Sequence, residues 1–312
     1  MPALVFPVFW HVLPSHFLDA GVSALWDWLA SSSLYGFSGF ETLFTVLIYT
    51  IVEHAYCLKF KAGSAQAGHL NLKRGILYSL RDGAVYIAPL FALDFTLTKR
   101  YTGSEPGRIA IAAQSFLQRE RVLPAMAPTA AQVVLEVLVA IIIYDFGFFI
   151  IHWTLHASTT LYRVFHAKHH QSVEVPVVVL PALNRQPSPS GSGRAAAVVV
   201  GDPADVMSHP LHTNQLHIVE RVVLILCANE SLKVIGAHVL SRTVFIVAFI
   251  WLLVWNHTPY THEEMRARGG GKCKGGRGQQ KRHVLHHVHG DKYFQPFFTY
   301  LDDYVVPVLR GR

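Results

Sequence analysis

Eight histidines fall into three short clusters: His152-Trp-Thr-Leu-His156, His166-Ala-Lys-His169-His170 and His283-Val-Leu-His286-His287. Their patterns are HxxxH, HxxHH and HxxHH. Neutral imidazole is a good ligand for iron, zinc, copper and nickel. Eight imidazoles exceed what one metal needs, so the clusters predict a site for two metals held by side chains projecting from helices. Residues four apart on a helix lie on one face, one turn above the other. His152 and His156 therefore share a face, and each HxxHH box is expected to aim two or three ring nitrogens at one point. Asp145 lies seven residues before His152, on the same stripe. It is placed to accept the N–H that a metal-bound histidine turns away from its metal. A lone HxxxH pair arises by chance; three boxes with a repeated HxxHH do not.

The elements that must position these boxes are apolar. The chain has 312 residues, of which 51% are hydrophobic and only 15% charged; an average soluble domain carries about 25% charged residues. Mean hydropathy is +0.31. The clearest apolar run is Ala131–Ile151, long enough for a hydrocarbon core of about 30 Å. A second covers His238–Trp255, and a third runs from Leu43 to Leu58, interrupted by Glu53 and His54. Ala84–Leu97 and Leu4–Leu18 are weaker, spanning, re-entrant or interfacial. The expected fold is an all-α, integral membrane helical bundle. About four spanning or re-entrant helices carry a cytosolic, histidine-rich helical cap. Residues 1–130 read as membrane anchor and basic loops, and 131–312 as the catalytic region, in which one long helix leaves the membrane and carries boxes one and two.

Two segments read as flexible loops. Residues 182–201 contain Pro-Ser-Pro-Ser-Gly-Ser-Gly. Residues 266–282 are basic and glycine-rich without interleaved aromatics, which fits a solvated loop near anionic headgroups and no nucleic-acid partner. A helix is expected from near Asp202-Pro203 to residue 235. The three cysteines, Cys57, Cys227 and Cys273, are too scattered for a disulfide framework. The net charge of +7 sits in loops, which tend to stay cytoplasmic and suit an acidic electron donor. The N-terminus lacks the pattern of a cleaved secretory signal. His257 and His262, just past the second apolar run, are further metal-ligand candidates. His209, His212 and His217 rank lower; His11, His16, His54, His69 and His238 read as non-ligands, and His289 as solvent-facing. Phe148, Phe149 and Tyr162 read as packing residues first and substrate-positioning residues second.

The stretch from Asp145 through His152 and His156 to Leu161-Tyr162 and His166-Ala-Lys-His169-His170 resembles the fatty acid hydroxylase/sterol desaturase superfamily. Ser208-His209-Pro210-Leu211, Asn256-His257-Thr258-Pro259-Tyr260 and His283 through Asp302 are similar to its later segments. The resemblance covers residues 130–308. It implies a non-haem di-iron oxygenase of the endoplasmic reticulum membrane, multi-pass, with its active site facing the cytosol. Two iron ions would use dioxygen and NAD(P)H-derived electrons, delivered by cytochrome b5 or its reductase, to hydroxylate or desaturate a sterol or fatty acyl lipid. Cleaving an unactivated C–H bond exceeds side-chain acid/base chemistry, so the cofactor carries that step. Only nine residues separate His156 from His166, which favours the hydroxylase/sterol group over acyl-lipid desaturases. The third box and tail look closest to sterol hydroxylases and C-4 methyl sterol oxidases. Segments 182–201 and 266–282, and Thr258-Pro259, depart from the family pattern. An inactive relative and a metal-binding membrane protein without oxygenase activity remain open alternatives.

Overall fold

The computed structural model describes residues 15–37, 39–63, 76–96, 101–102, 121–170, 177–179, 198–200, 213, 216–257, 282–283, 285–287 and 289–311. Its helices are α1 (Ser15–Ser31), α2 (Phe40–Gly63), α3 (Ile76–Thr96), α4 (Ala130–Ala157), α5 (Thr159–Leu161), α6 (Ala167–His170), α7 (Ile218–Val234), α8 (Val239–Asn256) and α9 (Tyr300–Leu309). A π-helical turn, Tyr162–His166, joins α5 to α6. The helical architecture is as expected, with two short ladders besides. Strands β1 (Tyr101–Thr102) and β2 (Arg121–Val122) pair in parallel, and β3 (Val177–Val179) and β4 (Val198–Val200) pair antiparallel.

Helix α4 is the central element. Thr129 caps it, its hydroxyl accepting from Gln132 N at 3.1 Å, with Gln132 at the third helical position as in a capping box. Its buried face runs Val133, Val137, Ala140, Ile141, Tyr144, Asp145, Phe148, Phe149 and His152. It packs against α7 and α8. Gly147 sets the distance to α7, because a Cβ there would sit 2.6 Å from Cys227 Sγ. Glu136 Oε2 accepts from His238 N at 2.8 Å, tying the start of α8 to α4.

The outer face of α4 is apolar too. Leu135, Leu138, Ile142, Phe146 and Ile150 are all exposed, at helical spacing. Val244, Val247 and Trp251 repeat the pattern on α8, and Leu43, Leu47, Ile51 and Leu58 on α2. Exposed apolar stripes of this kind suit a lipid-facing surface. Among the described residues, two helices, Ala130–Ala157 and Val239–Asn256, are long and apolar enough to cross a membrane, with mean hydropathies of 2.5 and 1.8 over an 18-residue window. Leu43–Leu58 lies within α2 and most of Ala84–Leu97 within α3, and these two helices pack together. Most of Leu4–Leu18 falls outside the described residues.

Three local expectations are corrected. Boxes one and two do not share one continuous helix: the chain breaks at Ser158, which is extended (φ −112°, ψ 116°), and its hydroxyl caps the restart by accepting from Leu161 N at 3.3 Å. Val198–Val200, the end of the segment read as loop, is a strand, as three successive β-branched residues favour; residues 182–197 lie outside the described residues. The helix expected from Asp202-Pro203 is described from Ile218, where His217 caps it by accepting from Val219 N at 3.2 Å. Of the basic segment, residues 266–281 lie outside the described residues, while Arg282 pairs with Asp303 at 2.7 Å.

Candidate metal centre

Among the described residues nine histidines converge, and they do so as two groups. His152, His156, His166, His170 and His286 form the first, and His169, His257, His283 and His287 the second. Within each group the possible ligand nitrogens all lie within 4.8 Å of one another. The groups are adjacent, with ring centroids of His170 and His287 4.9 Å apart.

Boxes two and three each aim two ring nitrogens at one group, as expected, and the remaining one at the other. The helical period explains the division. Successive residues turn about 100°, so positions four apart stay nearly in line while the third position swings to the side. His166 and His170 accordingly face the first group, and His169 the second. In box three, His283 and His287 face the second group, and His286 the first. Residues 282–283 and 285–287 are helical. The π turn ending at His166 gives the chain one local bond pattern of wider pitch just where box two begins, a feature common at functional sites.

Several of the outward nitrogens are tied down. Nδ1 donates to a backbone carbonyl in four of the rings: His152 to Phe294 O at 2.8 Å, His170 to His287 O at 3.3 Å, His257 to Leu253 O at 2.9 Å and His286 to Lys292 O at 2.6 Å. A carbonyl only accepts, so each of these Nδ1 atoms carries the proton and each Nε2 turns a lone pair inward. His152 Nε2 and His170 Nε2 lie 3.0 and 3.1 Å from His166 Nε2, and His257 Nε2 lies 3.0 Å from His283 Nε2. The Nε2 of His286 is buried with no hydrogen-bond partner. A buried, unprotonated nitrogen aimed among four other imidazoles fits a cation, and the all-imidazole donor set fits iron, zinc, copper or nickel.

Burial keeps these rings neutral. It pushes His166 down to about 2 and His257 to about 4, with His170 and His156 adding to the effect at His166. His169, His283, His286 and His287 are held well below the ordinary histidine value, first by burial and then by neighbouring imidazoles. Neutral imidazole is the ligating form.

The carboxylate that meets a box histidine is Glu220, not Asp145. His166 Nδ1 lies 2.7 Å from Glu220 Oε1. Burial raises Glu220 to about 8; both shifts disfavour charge, so the contact is a hydrogen bond first and an ion pair second. Asp145 is spent elsewhere. It accepts from Gln295 Nε2, from Phe297 N at 2.8 Å and from Phe298 N at 3.2 Å. Asp302 accepts from Phe294 N at 2.7 Å and Gln295 N at 3.0 Å. Between them the two carboxylates hold the loop whose carbonyls, at Lys292 and Phe294, orient His286 and His152. Tyr293 in that loop adopts φ 60°, uncommon for a residue with a side chain and a mark of local strain.

The other candidates sort cleanly. His257 joins the second group, while His262, His209 and His212 lie outside the described residues. His217 and His238 are helix caps, and His289 is exposed. Phe148 stands edge-on to His152 at 5.0 Å, and Tyr162 packs on His156 at 5.2 Å. Phe149 packs against Trp153 and Phe294.

A cavity opens beside the second group, with an empty volume of about 560 Å³ including its mouth. Tyr144 and Phe148 from α4, Leu224 and Ile225 from α7, and Phe249 and Leu253 from α8 form its apolar walls. His169, His257 and His283 close one side, together with Thr213, Glu220 and Asn256.

A helix bundle with exposed apolar stripes and two adjoining polyhistidine groups fits the class of metal-binding membrane proteins. Comparison narrows it. The fatty acid hydroxylase family profile matches residues 137–193, which contain boxes one and two. Cholesterol 25-hydroxylase of Homo sapiens is 26% identical over 185 residues, 58% of this chain and 53% of that protein. The Rattus norvegicus cholesterol 25-hydroxylase is likewise 26% identical over 185 residues, covering 49% of its length. The chain thus spans about half the length of the curated relatives it matches. No solved structure matches. Together these matches support the fatty acid hydroxylase/sterol desaturase superfamily.

Proposed function

We propose that this chain is a membrane-bound, non-haem di-iron oxidoreductase that hydroxylates, or desaturates, a sterol or fatty acyl lipid. The observation that carries the reading is the division of nine histidines into two adjoining groups with an apolar cavity against one of them. The family profile and the cholesterol 25-hydroxylase relatives support a lipid hydroxylase. The five-histidine and four-histidine groups would each hold one iron, and His262 remains a further candidate ligand. Bound iron with dioxygen would supply the oxidising power that side chains lack.

The chain's own residues do the rest. Glu220 and the carbonyls of Phe294, His287, Lys292 and Leu253 fix ring orientation, so the inward nitrogens need no rearrangement to ligate. Asp145 and Asp302 act one step further out by holding the loop. Phe148, Phe249 and Leu253 give the substrate an apolar, water-poor passage to the centre. NAD(P)H-derived electrons would arrive through cytochrome b5 or its reductase at the basic loops. The endoplasmic reticulum, with a cytosol-facing centre carried on about four spanning or re-entrant helices, is the proposed setting.

Lipid profiling of cells expressing the wild type or His169→Ala tests the activity. The expected result is an oxidised or unsaturated lipid present with the wild type and absent with the variant. Identical profiles, with both proteins in the membrane fraction, would contradict the reading and favour an inactive relative.

A further inference from the structure

The cavity beside the four-histidine group carries three polar atoms with nothing to bond. Thr213 Oγ1, Glu220 Oε2 and Asn256 Oδ1 are all buried and have no hydrogen-bond partner among the described residues, and all three residues line this one cavity. Their exposures are 5%, 4% and 1%. A buried polar atom left unmade keeps its full desolvation cost, so three in one chamber point to a polar group on what enters it.

The chemistry of each atom is defined. Glu220 uses Oε1 on His166, which leaves Oε2 for the cavity. Asn256 donates from Nδ2 to the Pro296 carbonyl; a carbonyl only accepts, so the oxygen of the amide is the free end. The Thr213 hydroxyl can give or take. Asn256 Oδ1 only accepts, Glu220 Oε2 accepts when ionised and donates when protonated, and the Thr213 hydroxyl does either, so the set complements an O–H group, which donates and accepts at once. A carboxylate, which only accepts, would leave Asn256 Oδ1 unmade, and a plain hydrocarbon would leave all three atoms unmade.

We propose that the lipid taken by this cavity carries a hydroxyl group close to the carbon that reacts, bound by Thr213, Glu220 and Asn256. The nearness follows from His169, His257 and His283 lining the same chamber. The inference rests on reading the histidine groups as a lipid-oxidising centre and adds the substrate's polar feature to it.

The test is a binding comparison on the full chain in detergent, with iron loaded and, separately, with iron removed by chelation. 1-Hexadecanol, hexadecane and palmitate are titrated at equal mole fraction in the micelle, and affinity is read from the rise in Tm. The alcohol should bind roughly tenfold more tightly than the alkane, and more tightly than palmitate. Thr213→Val keeps the side-chain shape and removes the hydroxyl; it should weaken the alcohol roughly three- to tenfold and leave hexadecane unchanged. Glu220→Gln keeps an oxygen for His166 but turns an N–H toward the cavity, so palmitate should gain on the alcohol. Equal affinity for alcohol and alkane in the wild type, or equal weakening of both by Thr213→Val, would overturn the proposal. Failure to load iron would count against the oxidising centre alone, because the metal-free titration still decides the ligand question.

Discussion

At the residue scale the centre depends on ring orientation as much as on ligand count. Glu220→Ala removes a carboxylate hydrogen-bonded to the box histidine His166. It should weaken metal binding roughly 10- to 100-fold, as loss of such supporting partners does, measurable by chelator competition; unchanged affinity would remove Glu220 from the account. Acid should act on the metal-free protein. Its histidines are held below the ordinary value, His257 at about 4 and His166 at about 2, while the unfolded chain titrates near 6.5. Between those values the unfolded state binds more protons, so stability falls as pH drops. Glu220, raised to about 8, opposes this, but seven shifted histidines outside the spanning helices outnumber it. Tm should therefore fall from pH 6.5 to 4.5, and less steeply in His257→Asn; a flat profile would contradict the burial of these rings. The box histidines and His257 were legible from spacing and placement. Glu220 was not, because 54 residues separate it from His166 and a glutamate in the first turn of a helix carries no local sign of a distant partner. Asp145 was found by its stripe, but the stripe could not say which groups on the far side would reach it first.

At the element scale, close approach does the positioning. Helix α7 brings Glu220 to the centre, and it lies near α4 because residue 147 has no side chain. Gly147→Ala should place its methyl against Cys227 Sγ, now 2.6 Å from that point, and destabilise the fold by about 1–3 kcal/mol as overpacked cores do. Cys227→Ala in the same chain should restore most of the loss in thermal unfolding; no rescue would mean that the contact is not the cause. Helix existence was readable from the long apolar runs. The break at Ser158 has a local sign in the Ser-Thr-Thr stretch, since serine favours a helix N-cap, but that sign is weak against a continuous apolar run, and the π turn after it has none. The number of histidines already pointed to two metals; which histidine of boxes two and three joins which group follows from the helical period once the two groups are seen.

At the scale of the whole molecule, exposed apolar stripes on α2, α4 and α8 point outward while the polar chemistry is buried within. Ile142 sits near the middle of α4 on its exposed face. Ile142→Arg should cost about 2.5–3.5 kcal/mol of insertion and deplete the chain from the membrane fraction, whereas Ile142→Leu should not; equal partitioning of both would contradict the lipid-facing assignment. The two polyhistidine groups make the sharpest demand. Elemental analysis of the purified, metal-saturated chain, with His156→Ala and His287→Ala alongside, asks whether they are separate centres. The account predicts about two metal ions per chain in the wild type and about one in each variant, because each substitution opens only its own group. No bound metal, or a single ion lost in both variants, would contradict it.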